Sequence, residues 1–268
     1  MSAKKAIFVT GGASGIGRAI ALRFAREGWF VGLGDVDAAG MAETERLCGT
    51  GFAYSHVFDV RDRAAWDMAL SAFATAAGGR IDVLANNAGV PLGGPLSDNT
   101  PDEIERCLDI NLKGVLWGAQ AVLPWLRQTA PGSALVNTAS AAGIYGTGGA
   151  AVYSATKFAV RGLTESLDAE WAGFGITVAS ICPSFIETPL LDQVPNQGSN
   201  ESIRQRVAAA GLELTNVDEV AQAVWAAVHG SRLHWVVGKT ARKIAFAARW
   251  MPGQVRKQAR SLSRPLGR

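Results

Sequence analysis

Thr10-Gly11-Gly12-Ala13-Ser14-Gly15-Ile16-Gly17-Arg18 is the stretch on which the reading of this chain turns. It follows directly on an apolar run at 6–10 and leads into a helical pattern at 16–27. Glycines allow a tight turn and let the backbone approach a bulky anion closely. The helix that follows brings unpaired N–H groups and the positive end of its dipole to the same point. Glycine spacing alone marks only a turn. A strand before it and a helix after it make the turn a candidate pyrophosphate cradle, with Gly11, Ser14, Gly15, Ile16 and Gly17 against the phosphates.

The strand–helix alternation continues along the chain. Short runs at 6–10, 30–34, 53–59, 83–86, 134–138, 177–181 and 235–237 read as strands. Helical patterns fill 16–27, 38–47, 64–76, 102–127 (two helices or one long one), 152–171 and 217–229. Several strand runs are apolar without alternation, as expected for parallel strands covered on both faces. The expected fold is α/β: a doubly wound, seven-stranded parallel sheet in a Rossmann-type three-layer sandwich. One catalytic domain at 1–240 is expected, with a basic tail at 241–268. At 268 residues and 48% hydrophobic, the chain can bury a large core in one such domain.

Asp35 ends the second expected strand, 20 residues after Gly15. A carboxylate there accepts hydrogen bonds from ribose hydroxyls and repels a 2′-phosphate. No Arg or Lys stands at Ala13, Ser14 or Val36 to bind one. The cofactor expected is therefore NAD. Asp37 is a competitor two residues on, and either Asp can be a plain turn former. Asp59, read as the end of the third strand, can contact the adenine with Val60 beside the ring.

Tyr153-Ser154-Ala155-Thr156-Lys157 opens a helical segment, and spacing i, i+4 puts Tyr153 and Lys157 on one face. A free Tyr has a pKa of about 10, too high for proton transfer at neutral pH unless its anion is supported. A neighbouring ammonium supplies that support. Ser140 follows the 134–138 strand, where its hydroxyl can hold a substrate oxygen beside Tyr153; Thr138 is a competing hydroxyl. Asn111 can bond to backbone or water behind Lys157, or be a satisfied buried amide.

Together these residues identify the chain as resembling a classical short-chain dehydrogenase/reductase. The matches are Thr10-Gly11, Gly15-Ile16-Gly17, Asn86-Asn87-Ala88-Gly89, Asn111, Ser140, and Tyr153 with Lys157, in the family's order over about residues 5–240. The resemblance implies that Tyr153 is the acid/base and that Lys157 lowers its pKa and holds the nicotinamide ribose. It implies that Ser140 orients the substrate oxygen and that Asn111 anchors a relay water. It places Asn87, Ala88 and Gly89 along the cofactor, Asp59 and Val60 by the adenine, and Asp35 as the selector of NAD. Pro183, Ile186 and Thr188 would meet the nicotinamide end. One position departs: the family usually has Pro-Gly after the sixth strand, and here it is Pro183-Ser184.

The segment 184–214 is rich in Pro, Gly, Asn and Ser and lies after a strand end that should face the crevice, so it reads as a substrate lid or a surface loop. Residues expected near the substrate are apolar or small: Val90, Pro91, Leu92, Ala141, Ala142, Ile144, Tyr145, Phe185, Leu190, Leu191 and Val194. They favour a hydrophobic secondary alcohol or its ketone, a steroid or aromatic ketone included. The expected function is NAD(H)-dependent alcohol oxidation or ketone reduction. The alternatives are an NADPH-dependent ketone or 3-oxoacyl-thioester reductase, and a non-catalytic dinucleotide-binding sensor or interaction protein.

The net charge of +3 is too mild to imply nucleic acid. Cys48, Cys107 and Cys182 are isolated and the three His are scattered, so no disulfide framework and no metal site are expected, and a reducing cytoplasm fits. No apolar run reaches the roughly 18 residues of a membrane span. The start, Met1 to Lys5, enters a run too short for a signal peptide and reads as a strand. From Lys239 to the end the chain holds nine basic residues and no acidic one, with Ile244, Phe246, Trp250 and Met251 between them. It reads as contact with an anionic membrane surface or acidic partner, or as a solvated end with a short docked helix, broken by Pro252-Gly253. The resemblance implies a homo-oligomer, tetramer or dimer, which Leu116, Trp117, Val122, Leu123 and Trp125 allow if they are not core.

Overall fold

The computed structural model describes residues 4–262. Met1, Ser2 and Ala3 lie outside the described residues, as do Arg264 and Arg268 of the basic tail. Seven strands, β1 (Ala6–Thr10), β2 (Phe30–Asp35), β3 (Ala53–Val57), β4 (Val83–Asn86), β5 (Ala134–Thr138), β6 (Thr177–Pro183) and β7 (His234–Val237), form one sheet. Its order is β3-β2-β1-β4-β5-β6-β7 and every pairing is parallel. The expected doubly wound α/β sandwich is therefore present.

Successive side chains on a strand point to opposite faces, and the core divides accordingly. Ile7, Val9, Val31 and Leu33 face one layer, which includes α1 (Gly15–Arg26), α2 (Ala38–Cys48) and α8 (Val217–Val228). Ala6, Phe8, Leu84 and Leu135 face the other, built by α3 (Arg63–Ala76), α5 (Gly114–Thr129) and α6 (Ala151–Trp171). Strand order reverses between β1 and β4, and a crevice opens beyond the strand C-termini at such a point.

The expected 102–127 helix resolves into α4 (Pro101–Leu108), a π turn over Asp109–Lys113, and α5. α4 starts on a reciprocal cap: Thr100 accepts from the Glu103 N–H while the Glu103 carboxylate accepts from the Thr100 N–H. β3 ends at Val57, two residues short of the expected Asp59, because the chain turns as Asp62 N–H donates to Asp59 O at 3.0 Å.

Two parts of the chain carry more helix than their composition suggests. Within 184–214, α7 (Ile203–Ala209) is capped by Ser202 and Gln205 in the same reciprocal way. In the basic tail, α9 (Lys239–Trp250) packs on β7 and the Ala141–Gly143 turn, and α10 (Pro252–Leu262) packs on α9. Pro252 does end α9, but it also opens α10, since the first helical position needs no N–H donor.

Candidate active site

The phosphate loop is built from the end of β1. Gly11 N–H donates to Gly34 O at 2.9 Å, tying the loop to β2. Gly17 lies against that turn: a Cβ there would overlap the Gly11 carbonyl, so the first helical turn can approach the strand only without a side chain. Ser14 opens α1 with an exposed side chain that makes no capping hydrogen bond. The first-turn N–H groups of α1 are thus aimed at the crevice with no hydroxyl over them, a cradle that fits a pyrophosphate.

Asp35 stands at the end of β2 beside this loop. Its Oδ2 accepts from Ala13 N–H at 3.1 Å and its Oδ1 from Asp37 N–H at 3.1 Å. Asp37 serves locally, capping α2 by accepting from Gly40 N–H at 2.9 Å. Arg18 is a nearby cation that the sequence reading assigned no role. Its guanidinium is turned inward and donates to Ala13 O, Gly40 O and Thr44 Oγ1.

Asp59 and Val60 follow β3. The Asp59 carboxylate is held by Arg61, through the backbone N–H at 2.9 Å and the guanidinium at 2.6 Å, which keeps its pKa below the usual carboxylate range. Val60 is buried, and its carbonyl accepts from the Trp66 indole at 3.0 Å. After β4, Asn87 Nδ2 donates to Thr10 O at 3.0 Å, and the Asn87 and Ala88 N–H groups both donate to Thr10 Oγ1. Thr10 thereby joins the 87–89 segment to the phosphate loop.

Lys157 is buried, and its Nζ donates to Thr138 O at 2.9 Å and lies 5.6 Å from the Tyr153 ring centre. Burial pushes the ammonium down to about 8. Tyr153 is half-buried, with the Ser140 hydroxyl facing its own. Burial pushes the phenol above its ordinary value, and Ser140 pulls against that rise. Ser140, Tyr153 and Lys157 are thus brought together. Thr138, the competing hydroxyl, donates to Asn87 Oδ1 at 3.3 Å.

Asn111 sits in the π turn, fully buried. Its Oδ1 accepts from Val90 N–H and its Nδ2 donates to Val90 O, both at 2.8 Å. These two bonds clamp the turn after Gly89.

Pro183 ends β6, paired with Val237. Ser184 N–H donates to Val237 O at 3.1 Å, and its hydroxyl lies 3.4 Å from Thr215 Oγ1. The extra side chain at this position therefore turns to Thr215 and Gly238. Ile186 is buried, and Thr188 reaches back over the phosphate loop, its Cγ2 being 3.2 Å from where a Gly15 Cβ would stand.

The 184–214 segment lies across the crevice mouth. Gly93 N–H donates to Pro195 O at 2.8 Å, and Gln197 N–H donates to Glu103 Oε1 at 2.7 Å. Arg204 pairs with Asp192 at 2.6 Å and with Glu187. Leu92, Ala141 and Leu191 are buried near this mouth, whereas Leu190 and Val194 are exposed. Among the described residues, no group of three or more His, Cys, Asp or Glu is placed to hold a metal ion, and no helix is long and apolar enough to cross a membrane.

A profile of the short chain dehydrogenase family matches residues 5–199. The chain belongs to the short-chain dehydrogenase family. It is 38% identical over 214 residues to a 3-alpha-(or 20-beta)-hydroxysteroid dehydrogenase of Mycobacterium tuberculosis (strain ATCC 25618 / H37Rv), covering 80% of each chain. Among solved structures it is similar to levodione reductase, with a TM-score of 0.79 and 30% identity over 90% of this chain and 98% of that one. It is also similar to actinorhodin polyketide ketoreductase, solved with NADPH, with a TM-score of 0.77 and 31% identity over 87% of this chain and 95% of that one. As a short-chain dehydrogenase, the protein is an oxidoreductase that acts on CH–OH groups with a nicotinamide dinucleotide.

Proposed function

We propose that this short-chain dehydrogenase interconverts a hydrophobic secondary alcohol and its ketone with NAD(H), using Tyr153 as the proton-transfer group. The observation that carries the reading is the meeting of the Tyr153 hydroxyl, Ser140 and the buried Lys157 beside the phosphate loop. Bound NAD(H) supplies or accepts the hydride. Gly11, Ser14, Gly15, Ile16 and Gly17 hold its pyrophosphate; Asp35 takes the adenosine ribose; Asp59 and Val60 border the adenine. Asn87, Ala88 and Gly89 line its path toward Pro183, Ile186 and Thr188.

Tyr153 gives its proton to the carbonyl oxygen in reduction and takes one from the alcohol in oxidation. Burial raises the phenol's pKa, so its anion needs the Ser140 hydroxyl and the Lys157 ammonium. Ser140 also orients the substrate oxygen. The Asn111 amide is spent on Val90, so a relay at Asn111 runs through its backbone, where a π turn departs from the regular ladder.

NAD is favoured over NADP because Asp35 stands at the ribose position and Arg18 is turned away into backbone carbonyls. The apolar mouth, Leu92, Ala141 and Leu191 above all, suits a bulky ring compound, and a hydroxysteroid dehydrogenase stands among the relatives. An oligomer built on α5 and α6 fits the exposed Leu116 and Phe158; Val122 is core. A cytoplasmic setting fits three cysteines outside any disulfide.

The test is a screen of NAD⁺ and NADP⁺ reduction against secondary alcohols from small aliphatic to steroidal. Turnover of the bulky members with NAD⁺ is expected. Preference for NADP⁺ would replace this reading with the biosynthetic reductase. Tight NAD binding without turnover of any alcohol or ketone would favour the sensor.

A further inference from the structure

Helix α9 is docked the wrong way round for a helix that only completes a core. Its inward side is small: Ala241 is buried, and Ile244, Ala245 and Ala248 are half-buried. Ala245 and Ala248 close a cavity of about 320 Å³ that is also lined by Arg161, Cys182 and His234. Its two largest apolar side chains point outward, Phe246 at 61% and Trp250 at 65% exposure. A helix stabilised by burial would place them on the other face.

The spacing of 239, 243, 246 and 250 puts Lys239, Lys243, Phe246 and Trp250 on one stripe. Arg242 and Arg249 flank it, Arg249 also bordering the cavity, and all four cations are exposed. Lys239 reaches Glu213 at 3.0 Å, and the Arg249 guanidinium lies 5.3 Å from the Trp250 ring. Met251, just after the helix, is exposed, and α10 adds exposed Arg256, Lys257 and Arg260. No acidic residue follows Glu219 in the sequence.

We infer that the outward face of α9, with the start of α10, seats this protein on an anionic lipid surface. Aromatic side chains interleaved with Lys and Arg are the chemistry of an interfacial helix: rings enter the headgroup boundary while cations meet the phosphates. A nucleic acid duplex would use the cations but keeps its bases stacked inside and offers no apolar layer to Phe246 and Trp250. A second copy meeting this face with the same face would set cations against cations. Each signal alone is weak, and stable attachment takes an apolar and an electrostatic contribution together. Both are present here on one stripe of α9, in Phe246 and Trp250 with Lys239 and Lys243.

The experiment is flotation of the full chain with vesicles of phosphatidylcholine alone and with phosphatidylglycerol added. Binding is expected only to the anionic vesicles, weakened by salt. Phe246→Ser with Trp250→Ser should lower it by at least about tenfold, with thermal unfolding little changed, because both side chains are already in solvent. Arg242→Glu with Lys243→Glu should lower it by a similar factor or more. Lipids brominated in the acyl chain should quench wild-type fluorescence more than that of Trp250→Phe. Failure to float with anionic vesicles overturns the inference. So does binding unaffected by the Ser variants. A Ser variant that loses only self-association would assign the face to a second copy instead.

Discussion

The Ser184 side chain occupies the space that a side chain on Gly238 would need. Gly238 opens α9 with φ +91°, and a Cβ on it would collide with Ser184 Oγ and Thr215 Oγ1. The serine in place of the family's usual glycine after β6 is thus matched by a glycine after β7. Gly238→Ala should cost about 1–3 kcal/mol in denaturant unfolding, from collision and left-handed backbone together. Adding Ser184→Gly should recover only the Ser184 share of the collision, since Thr215 Oγ1 stands against the same Cβ. A double-mutant cycle in which the two costs simply add would show that the residues do not share this space.

Tyr153→Phe removes one hydroxyl and keeps the ring. Turnover should fall by at least about 100-fold, the usual scale for losing a positioned proton donor. NADH binding, followed by its fluorescence, should stay close to wild type. Undiminished turnover would remove Tyr153 from the reaction.

Much of this site could be read before any geometry. Strands 83–86 and 134–138 were bounded correctly because apolar runs there are cut off by polar turn residues. The phosphate loop, Ser140, Tyr153 and Lys157 were legible because each sits at a fixed distance from a strand end or along one helix. What was missed depends on partners far along the chain. Arg18 looks like any surface cation until Thr44 and Gly40 fold over it. Ser184 takes its direction from Gly238 and Thr215. α7 left a usable signal, Ser202 with Gln205 three residues on, hidden by the loop-forming residues around it.

Asp35 and Arg18 together set the expected cofactor preference. Asp35→Ala should remove both the ribose partner and the repulsion of a 2′-phosphate, shifting the NAD⁺ over NADP⁺ ratio of kcat/KM by at least about tenfold. Arg18→Ala should loosen the Ala13–Gly40 junction and weaken both cofactors alike. An unmoved ratio in the Asp35 variant would place the ribose elsewhere.

Arg204 ties the segment across the crevice mouth to itself, through Asp192, Glu187 and Thr188 O. These pairs are exposed, so Arg204→Ala should leave thermal stability nearly unchanged. If the segment covers the substrate, KM should rise several-fold with cofactor affinity unaltered. Equal KM values would reduce the segment to a surface loop.

Lys157 makes the sharpest statement about pH, because its ammonium is buried and held by one backbone carbonyl. Its folded-state value of about 8 lies below the ordinary 10.5. Between these values the unfolded chain keeps a proton that the folded chain has lost, so stability rises with pH. Below about 8 both states hold the proton, and the cost of burying the charge is felt in full. Tyr153 acts with the opposite sign above its ordinary value of 10, where the folded phenol keeps a proton that the unfolded one gives up. The clean window is therefore pH 8 to 10. Across it, wild type should gain on the order of 2 kcal/mol relative to Lys157→Met, in which this titration is absent. Unfolding free energies of both proteins at several pH values measure that difference. A difference that stays flat would mean that the lysine keeps its proton throughout, and a permanently charged Lys157 would then stand behind Tyr153 at every working pH.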